Sequence, residues 1–200
     1  MKRILFFTML ILLALSLVAC DDSHSNLKIN TVSNANLTER EKVILSNTSD
    51  QSFVFDFKVD DKFKEVAVWV EKYESGKLVG EVNRISMEIK NKGTIIFSTS
   101  HTTEESNHTL FTVTIDSDGG TGSGWSPETI IKEDGLGAVW GSNPLGETSI
   151  QGKMVLASIC YSTSKEGISS LPTDFYNNID SHMNELKNYD VVYLLRSEFK

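Results

Sequence analysis

The segment from His101 to His108 holds the side chains best suited to metal chemistry. A histidine stands at each end, and Glu104 and Glu105 lie between them. Imidazole nitrogens and carboxylate oxygens bind divalent metals, and the two ends of a hairpin loop could meet around one ion. The spacing matches no established metal motif, and adjacent glutamates diverge within a turn. We therefore expect no tight metal site and no cofactor, with His101 and His108 as the candidate ligands.

The acidic, glycine-rich run from Asp116 to Gly124 is the second candidate for metal binding. Asp116 and Asp118 are spaced like alternate acids of a calcium loop. An EF-hand, however, needs further acids and flanking helices, whereas Gly120 stands at the third ligand position here. The run also lacks the lysine of a phosphate-binding loop. It is typical of a flexible turn, and weak calcium binding through Asp116 and Asp118 is the alternative.

Nucleophilic catalysis finds little support in the sequence. There is no Gly-x-Ser-x-Gly motif, and pairs such as Asp60–Asp61 are adjacent, so in a strand their carboxylates face opposite sides. Cys160 lies in the apolar run from Met154 to Tyr161, which is typical of a buried, inert thiol. We predict no catalytic residues.

Aromatic residues are the remaining candidates for a binding site. They could line a groove, although packing in a core or on a sheet explains them equally well, so the ligand-binding residues stay unassigned. The residues concerned are Trp69, Trp125, Trp140, Tyr73, Tyr161 and Tyr193.

Short β-type runs must position these side chains. In Ser52–Val59 every second residue is a phenylalanine, and Glu65–Tyr73 places three valines on one face, which is the period of a strand. Such spacing favours an antiparallel β-sandwich or barrel, with an α+β fold as the alternative. The predicted strands are Lys28–Val32, Lys42–Leu45, Ser52–Val59, Glu65–Tyr73, Leu78–Ile89, Thr94–Thr99, Thr109–Asp116 and Lys153–Tyr161.

Two segments depart from this strand pattern. Asp118–Gly152 is rich in glycine, and we interpret it as a long ordered excursion whose tryptophans pack against the domain. Near the C-terminus, the stretch Leu171–Asp174 supplies a stop and a capping residue, and an apolar stripe predicts one helix that stops at Asn188. A final strand is predicted at Val191–Leu195. The stripe consists of Phe175, Ile179, Met183 and Leu186.

The N-terminal residues carry the clearest signal of location. Lys2 and Arg3 precede an apolar run from Ile4 to Val18, which is too short for a spanning helix but suits a secretory signal. The stretch Leu17-Val18-Ala19-Cys20 resembles the lipobox of bacterial lipoproteins. That resemblance implies cleavage before Cys20 and a diacylglyceryl group on its sulfur. A plain signal peptide and an uncleaved signal anchor are the alternatives.

The resemblance to lipoproteins implies that the chain has three consecutive parts. Residues 1–19 are the signal peptide, 20–26 the lipidated cysteine and a polar tether of roughly 20 Å, and 27–200 one mostly β domain. The chain without its signal has 17 basic and 27 acidic residues, a net charge of −10, which excludes a nucleic-acid partner. If Cys20 is a thioether, Cys160 has no partner and the domain has no intrachain disulfide.

A lipid-anchored surface protein at the extracytoplasmic face of the cell membrane is the function that these features predict. The part after Cys20 is similar in style to small lipoproteins of Gram-positive, Bacillus-like bacteria, through the lipobox and the hairpin sequence Val66–Val82. A lipobox followed by aspartate, as at Asp21, also occurs in Gram-negative lipoproteins. We expect a non-enzymatic domain that binds an envelope protein or a small ligand. The alternatives are an anchored hydrolase or metal-dependent enzyme that uses the His101/His108 loop, and a helper of a membrane assembly.

Overall fold

Two antiparallel β-sheets lie face to face in a computed structural model, which describes residues 28–101, 108–130, 135–143 and 146–200. The first sheet has the strand order β7-β6-β5-β2-β1-β9 and the second the order β4-β3-β11-β10-β8. The strands are β1 (Thr31–Asn34), β2 (Gln51–Lys58), β3 (Glu65–Glu74), β4 (Lys77–Glu88), β5 (Lys92–Thr99), β6 (His108–Ser117), β7 (Gly120–Thr129), β8 (Gly137–Ser142), β9 (Glu147–Ser149), β10 (Lys153–Ser162) and β11 (Val191–Phe199). The predicted antiparallel sandwich is confirmed.

Alternating apolar residues of both sheets form the core between them. The phenylalanines of β2 and the valines of β3 point inward, as the period of two requires. Aromatic rings then continue across the gap between the sheets. Phe97 packs edge-to-face on Phe111 at 5.7 Å between ring centroids, and Phe111 packs on Tyr193 of the other sheet at 4.6 Å. These contacts fix how the sheets stack.

A helical layer covers part of the outer face of the second sheet. It comprises α2 (Thr173–Asn177), α3 (Ile179–His182) and a 3₁₀ helix (Met183–Asn188). Phe175 and Leu186 are fully buried there, against Cys160, Val192 and Leu194 among others. The predicted stripe thus does pack, but the prediction of one continuous helix is wrong.

The helix breaks at Asn178, whose backbone lies outside the helical region at φ −145° and ψ 71°. Asparagine competes with helix formation through its own backbone contacts, and packing on the sheet then governs the short pieces that follow. The predicted cap is also wrong, because Asp174 lies in the first turn and Pro172 precedes the helix without a side-chain hydrogen bond.

The predicted strand Lys42–Leu45 is wrong, because these residues belong to helix α1 (Glu39–Thr48). The Thr38 hydroxyl accepts a hydrogen bond from the Glu41 amide, and the Glu41 carboxylate accepts one from the Thr38 amide at 2.7 Å. This reciprocal capping box starts the helix. Three consecutive apolar residues fit either element, so the cap decides between them.

The interpretation of Asp118–Gly152 as an excursion is also wrong, since it supplies the strands β7, β8 and β9. β7 and β8 are the outermost strands of their sheets, paired with β6 and β10 on one side. Trp125 and Trp140 lie on these strands and are 69% and 50% exposed, so they do not pack inside as expected. Trp125 pairs with Thr112 on the face of β6 opposite to the core residues Phe111 and Val113, and Trp140 lies on the outermost strand of its sheet, which accounts for their exposure.

Within the described ranges, no helix combines the length and apolar composition needed to cross a bilayer.

Replacing Phe111 tests the aromatic bridge between the sheets. Phe111 is fully buried, whereas the adjacent Leu110 faces outward and is 38% exposed. We expect Phe111→Ala to lower the free energy of unfolding by about 3–5 kcal/mol and Leu110→Ala by less than about 1 kcal/mol. Urea unfolding followed by far-UV circular dichroism measures both. Equal losses would contradict the inward orientation of Phe111 and the outward orientation of Leu110.

Candidate functional site

A cleft of about 450 Å³ opens at the end of the sandwich where β3, β7 and β10 finish and β11 begins. Both sheets contribute to it, so its shape follows from how they stack. A volume of this size holds a small organic molecule. The lining residues are Lys72, Glu74, Thr129, Ile130, Leu136, Tyr161, Thr163, Asp190, Val191 and Tyr193.

An ion-pair network lies at the wall of this cleft and joins the two sheets. Lys72 Nζ lies 3.2 Å from Glu74 Oε1 and 3.3 Å from Glu128 Oε2. The Tyr193 hydroxyl donates to the same Glu128 oxygen at 3.0 Å. Glu128 is on β7 of the first sheet, whereas Lys72 and Tyr193 are paired residues on β3 and β11 of the second. One carboxylate therefore ties both strands across the sandwich.

The environment fixes the protonation of these groups at neutral pH. Burial opposes the charge of Lys72, but Glu74 and Glu128 outweigh it, so the pKa of Lys72 is raised. Burial, with the charge of Glu128, raises the pKa of Tyr193, and burial with the charge of Asp50 raises that of Tyr161 to about 12. A general base should have a pKa near the working pH. At neutral pH, Lys72 is therefore a charged donor and the two phenols are protonated, so none of the three is suited to take a proton.

Asp190 forms the rim of the cleft beside Tyr161. Its Oδ2 accepts hydrogen bonds from the Thr163 amide at 2.7 Å and the Thr163 hydroxyl at 2.9 Å. Its backbone carbonyl accepts from the Ser75 amide at 3.0 Å, which places it beside the β3–β4 turn and Glu74. The carboxylate is exposed yet held in place.

A second groove, of about 510 Å³, lies between α1 and the outer face of the first sheet. Its two carboxylates already serve the fold, since Glu41 caps α1 and Asp56 accepts from the Thr94 hydroxyl at 2.9 Å. Most of the remaining lining is aliphatic. Because both of its carboxylates already have partners and its lining is mostly aliphatic, the cleft at the end of the sandwich is the better candidate.

The two candidate histidine ligands lie at the facing ends of the paired strands β5 and β6. His101 follows β5 and His108 begins β6, where its Nδ1 lies 3.2 Å from the Thr129 hydroxyl at the cleft. Glu104 and Glu105 lie outside the described residues. Among the residues that the structure describes, no three His, Cys, Asp or Glu side chains are placed to hold a metal ion.

Asp116 and Asp118 serve the β6–β7 hairpin. Asp116 Oδ1 accepts from the Thr121 hydroxyl at 2.5 Å, whereas Asp118 Oδ2 accepts from the amides of Lys90 and Asn91 at 3.1 and 3.0 Å. Asp118 and Gly119 form the turn with positive φ. The two carboxylates therefore have separate structural partners, and the glycines that follow lie in strand β7.

The aromatic candidates divide into three groups. Tyr161 and Tyr193 line the cleft, while Trp125 and Trp140 are exposed at the sheet edges. The remaining two, Trp69 and Tyr73, are buried on the outer face of the second sheet. Their Nε1 and hydroxyl donate to the two oxygens of Glu71 at 3.0 and 2.8 Å, and the Arg84 guanidinium lies 4.1 Å from the centre of the Trp69 ring. These contacts are structural.

Sequence reasoning missed the charged residues of the cleft. Lys72 carried a usable signal, because it continues the inward series of Val66, Val68 and Val70 and so puts an ammonium on a buried face. Glu128 and Asp190 carried none, since their roles depend on which strands meet in space.

Cys160 has the environment that the sequence predicted. It is fully buried in the cluster under the helical layer and is a free thiol. Burial raises its pKa to about 12, although a hydrogen bond with Ser158 acts in the opposite direction. At neutral pH the sulfur is therefore protonated and is a poor nucleophile.

Alkylation tests this assignment of Cys160. We expect iodoacetamide at pH 8 to leave Cys160 unmodified in the folded chain and to modify it fully in guanidinium chloride, as measured by peptide mass spectrometry. An Asn47→Cys variant, with its new thiol exposed on α1, is the control that reacts in the folded state. Dithiothreitol should leave the melting temperature unchanged. Rapid alkylation of native Cys160 would contradict the burial.

The comparisons with known proteins give one match, to a family model. The model described as the YgaN domain matches residues 31–199, nearly the whole described fold from β1 to β11. No curated protein and no solved structure matches the chain significantly. The chain therefore belongs to the YgaN domain family.

Proposed function

We propose that this YgaN-domain chain is a lipid-anchored, extracytoplasmic binding protein that holds a small ligand in the cleft at the end of its sandwich. The observation that carries the binding role is the cleft itself, an aromatic-walled cavity of about 450 Å³ with convergent polar groups. Cavities of this kind, with a few placed polar side chains in an apolar wall, are the usual form of small-molecule sites.

The chemistry of the cleft favours binding over catalysis. Lys72 is held charged between two carboxylates, and Tyr193 is held as a hydrogen-bond donor by Glu128. Cys160, the one cysteine among the described residues, is buried under the helical layer and is not part of the cleft lining. Neither the ammonium of Lys72, the phenol of Tyr193 nor the thiol of Cys160 is thus placed and ionised to act as a base or a nucleophile in the cleft.

The anchor is supported by the first twenty residues. A basic start, an apolar run from Ile4 to Val18 and the lipobox-like ending at Cys20 support export and lipidation. Two acyl chains hold a protein stably on a membrane, whereas one does so only marginally. The short polar tether before Lys28 would keep the domain close to the bilayer surface.

Filling the cleft tests the binding role. Val191 lines the cleft, and Val79 lies 57% exposed on β4 as a matched control. The purified chain is incubated with the small-molecule extract of its host cells and washed, and the retained compounds are identified by mass spectrometry. We expect Val191→Trp to lose the retained compound and Val79→Trp to keep it.

Two results of this experiment would count against the proposed binding role. Retention that Val191→Trp leaves unchanged would place the ligand outside the cleft. Conversion of the compound during incubation would favour the alternative, an anchored enzyme, and His101→Ala and His108→Ala would then be the variants to compare.

The proposed lipid anchor has its own test. Mass spectrometry of the membrane fraction should give an N-terminal peptide that begins at Cys20 and carries a diacylglyceryl group, since two acyl chains suffice for anchoring. Cys20→Ala should shift the protein out of the membrane fraction. Native protein that retains residues 1–19, or a Cys20→Ala variant that stays fully bound, would overturn the anchor.

A further inference from the structure

The charged side chains at the cleft have a negative net charge. Lys72 stands against the three carboxylates of Glu74, Glu128 and Asp190, which gives a formal charge of −2 for the four groups. The ammonium of Lys72 is already paired with two of those carboxylates. It is therefore not available to neutralise an incoming anion, and the surrounding field favours a cation.

Two carboxylates at the rim each keep one oxygen for a ligand. Both hydrogen bonds from Thr163 fall on Asp190 Oδ2, and Lys72 engages Glu74 Oε1. Asp190 Oδ1 and Glu74 Oε2 have no hydrogen-bond partner among the described residues. An ammonium group, which has three donors and no acceptor, matches such a pair of oxygens.

Apolar and aromatic side chains lie directly beside these oxygens. Ile130, Leu136 and Val191 supply aliphatic surface, and the ring of Tyr161 supplies an aromatic wall. A small ligand with a charged head and a hydrocarbon body would place the head at the rim and the body against this wall.

The chain's own lysine shows that the site holds an ammonium. Lys72 Nζ lies between two carboxylates and 5.8 Å from the centre of the Tyr193 ring. Carboxylates and an aromatic face are the elements by which proteins recognise organic cations. The rim repeats this combination with Glu74, Asp190 and Tyr161.

We propose that the cleft selects a small organic cation, a primary amine carried on a short aliphatic chain, with Glu74 and Asp190 as the residues that bind its ammonium group. This inference rests on the proposed binding function of the cleft and adds the chemical class of its ligand.

Three probes of similar size and different charge test the proposal. Butylamine, 1-butanol and butyrate are titrated calorimetrically into the full chain, purified in a non-ionic detergent. We expect butylamine to bind at least tenfold more tightly than the other two, and its affinity to fall as sodium chloride is raised, because salt screens the attraction.

Neutralising the rim carboxylates identifies the binding residues. The double variant Glu74→Gln with Asp190→Asn keeps the side-chain shapes and removes two charges, and we expect butylamine to bind at least tenfold more weakly. Glu88→Gln is the matched control at the far end of β4, paired with Glu65 at the start of β3, and should bind butylamine like the unmodified chain. Circular dichroism melting curves confirm that each variant is folded.

Three results would overturn the inference that the cleft selects an organic cation. Binding of 1-butanol or butyrate that equals that of butylamine, or binding of butylamine that the double variant leaves unchanged, overturns the cation inference and leaves the cleft as a ligand site. Failure of all three probes to bind also overturns the inference. The proposed function fails separately, when Val191→Trp retains the same compounds as the unmodified chain.

Discussion

The hydrogen bond from the Tyr193 hydroxyl to Glu128 is the interaction on which both the core and the cleft depend. The ring of Tyr193 is 1% exposed and packs edge-to-face on Phe111 of the opposite sheet, while its hydroxyl reaches the carboxylate at the cleft. The ring of Tyr193 thus belongs to the apolar core, whereas its hydroxyl belongs to the polar wall of the cleft. A tyrosine suits this position because its body is apolar and its tip is a donor.

The partly buried charges beside Tyr193 require this arrangement. A carboxylate removed from water is costly unless it is paired and hydrogen-bonded, and Glu128 receives both the ammonium of Lys72 and the phenol of Tyr193. Because these donors come from the second sheet and Glu128 from the first, satisfying the charge also fixes the distance between the sheets. The open end of the sandwich is held as a preformed cleft, and preformed sites bind with a smaller loss of conformational entropy.

The strand pattern alone predicted most of the sandwich, because the period of two is a local property of the chain. The phenylalanines of β2 and the valines of β3 could be placed on the buried face before any partner strand was known. The failures arose where local pattern was ambiguous. The Thr38–Glu41 capping box turned the apolar run of α1 into a helix, and glycine-rich β7 carries too few apolar residues to show alternation.

The sequence by itself determined the β class, the acidic charge, the lipobox-like N-terminus and the burial of Cys160, since each depends on residue types at neighbouring positions. The candidate site was decided by the tertiary structure. Lys72, Glu128 and Asp190 lie far apart along the chain and meet only because the sheets stack with β7 over the second sheet and β11 between β3 and β10. Contacts between distant segments follow from the order of strands in the two sheets, which no local spacing encodes.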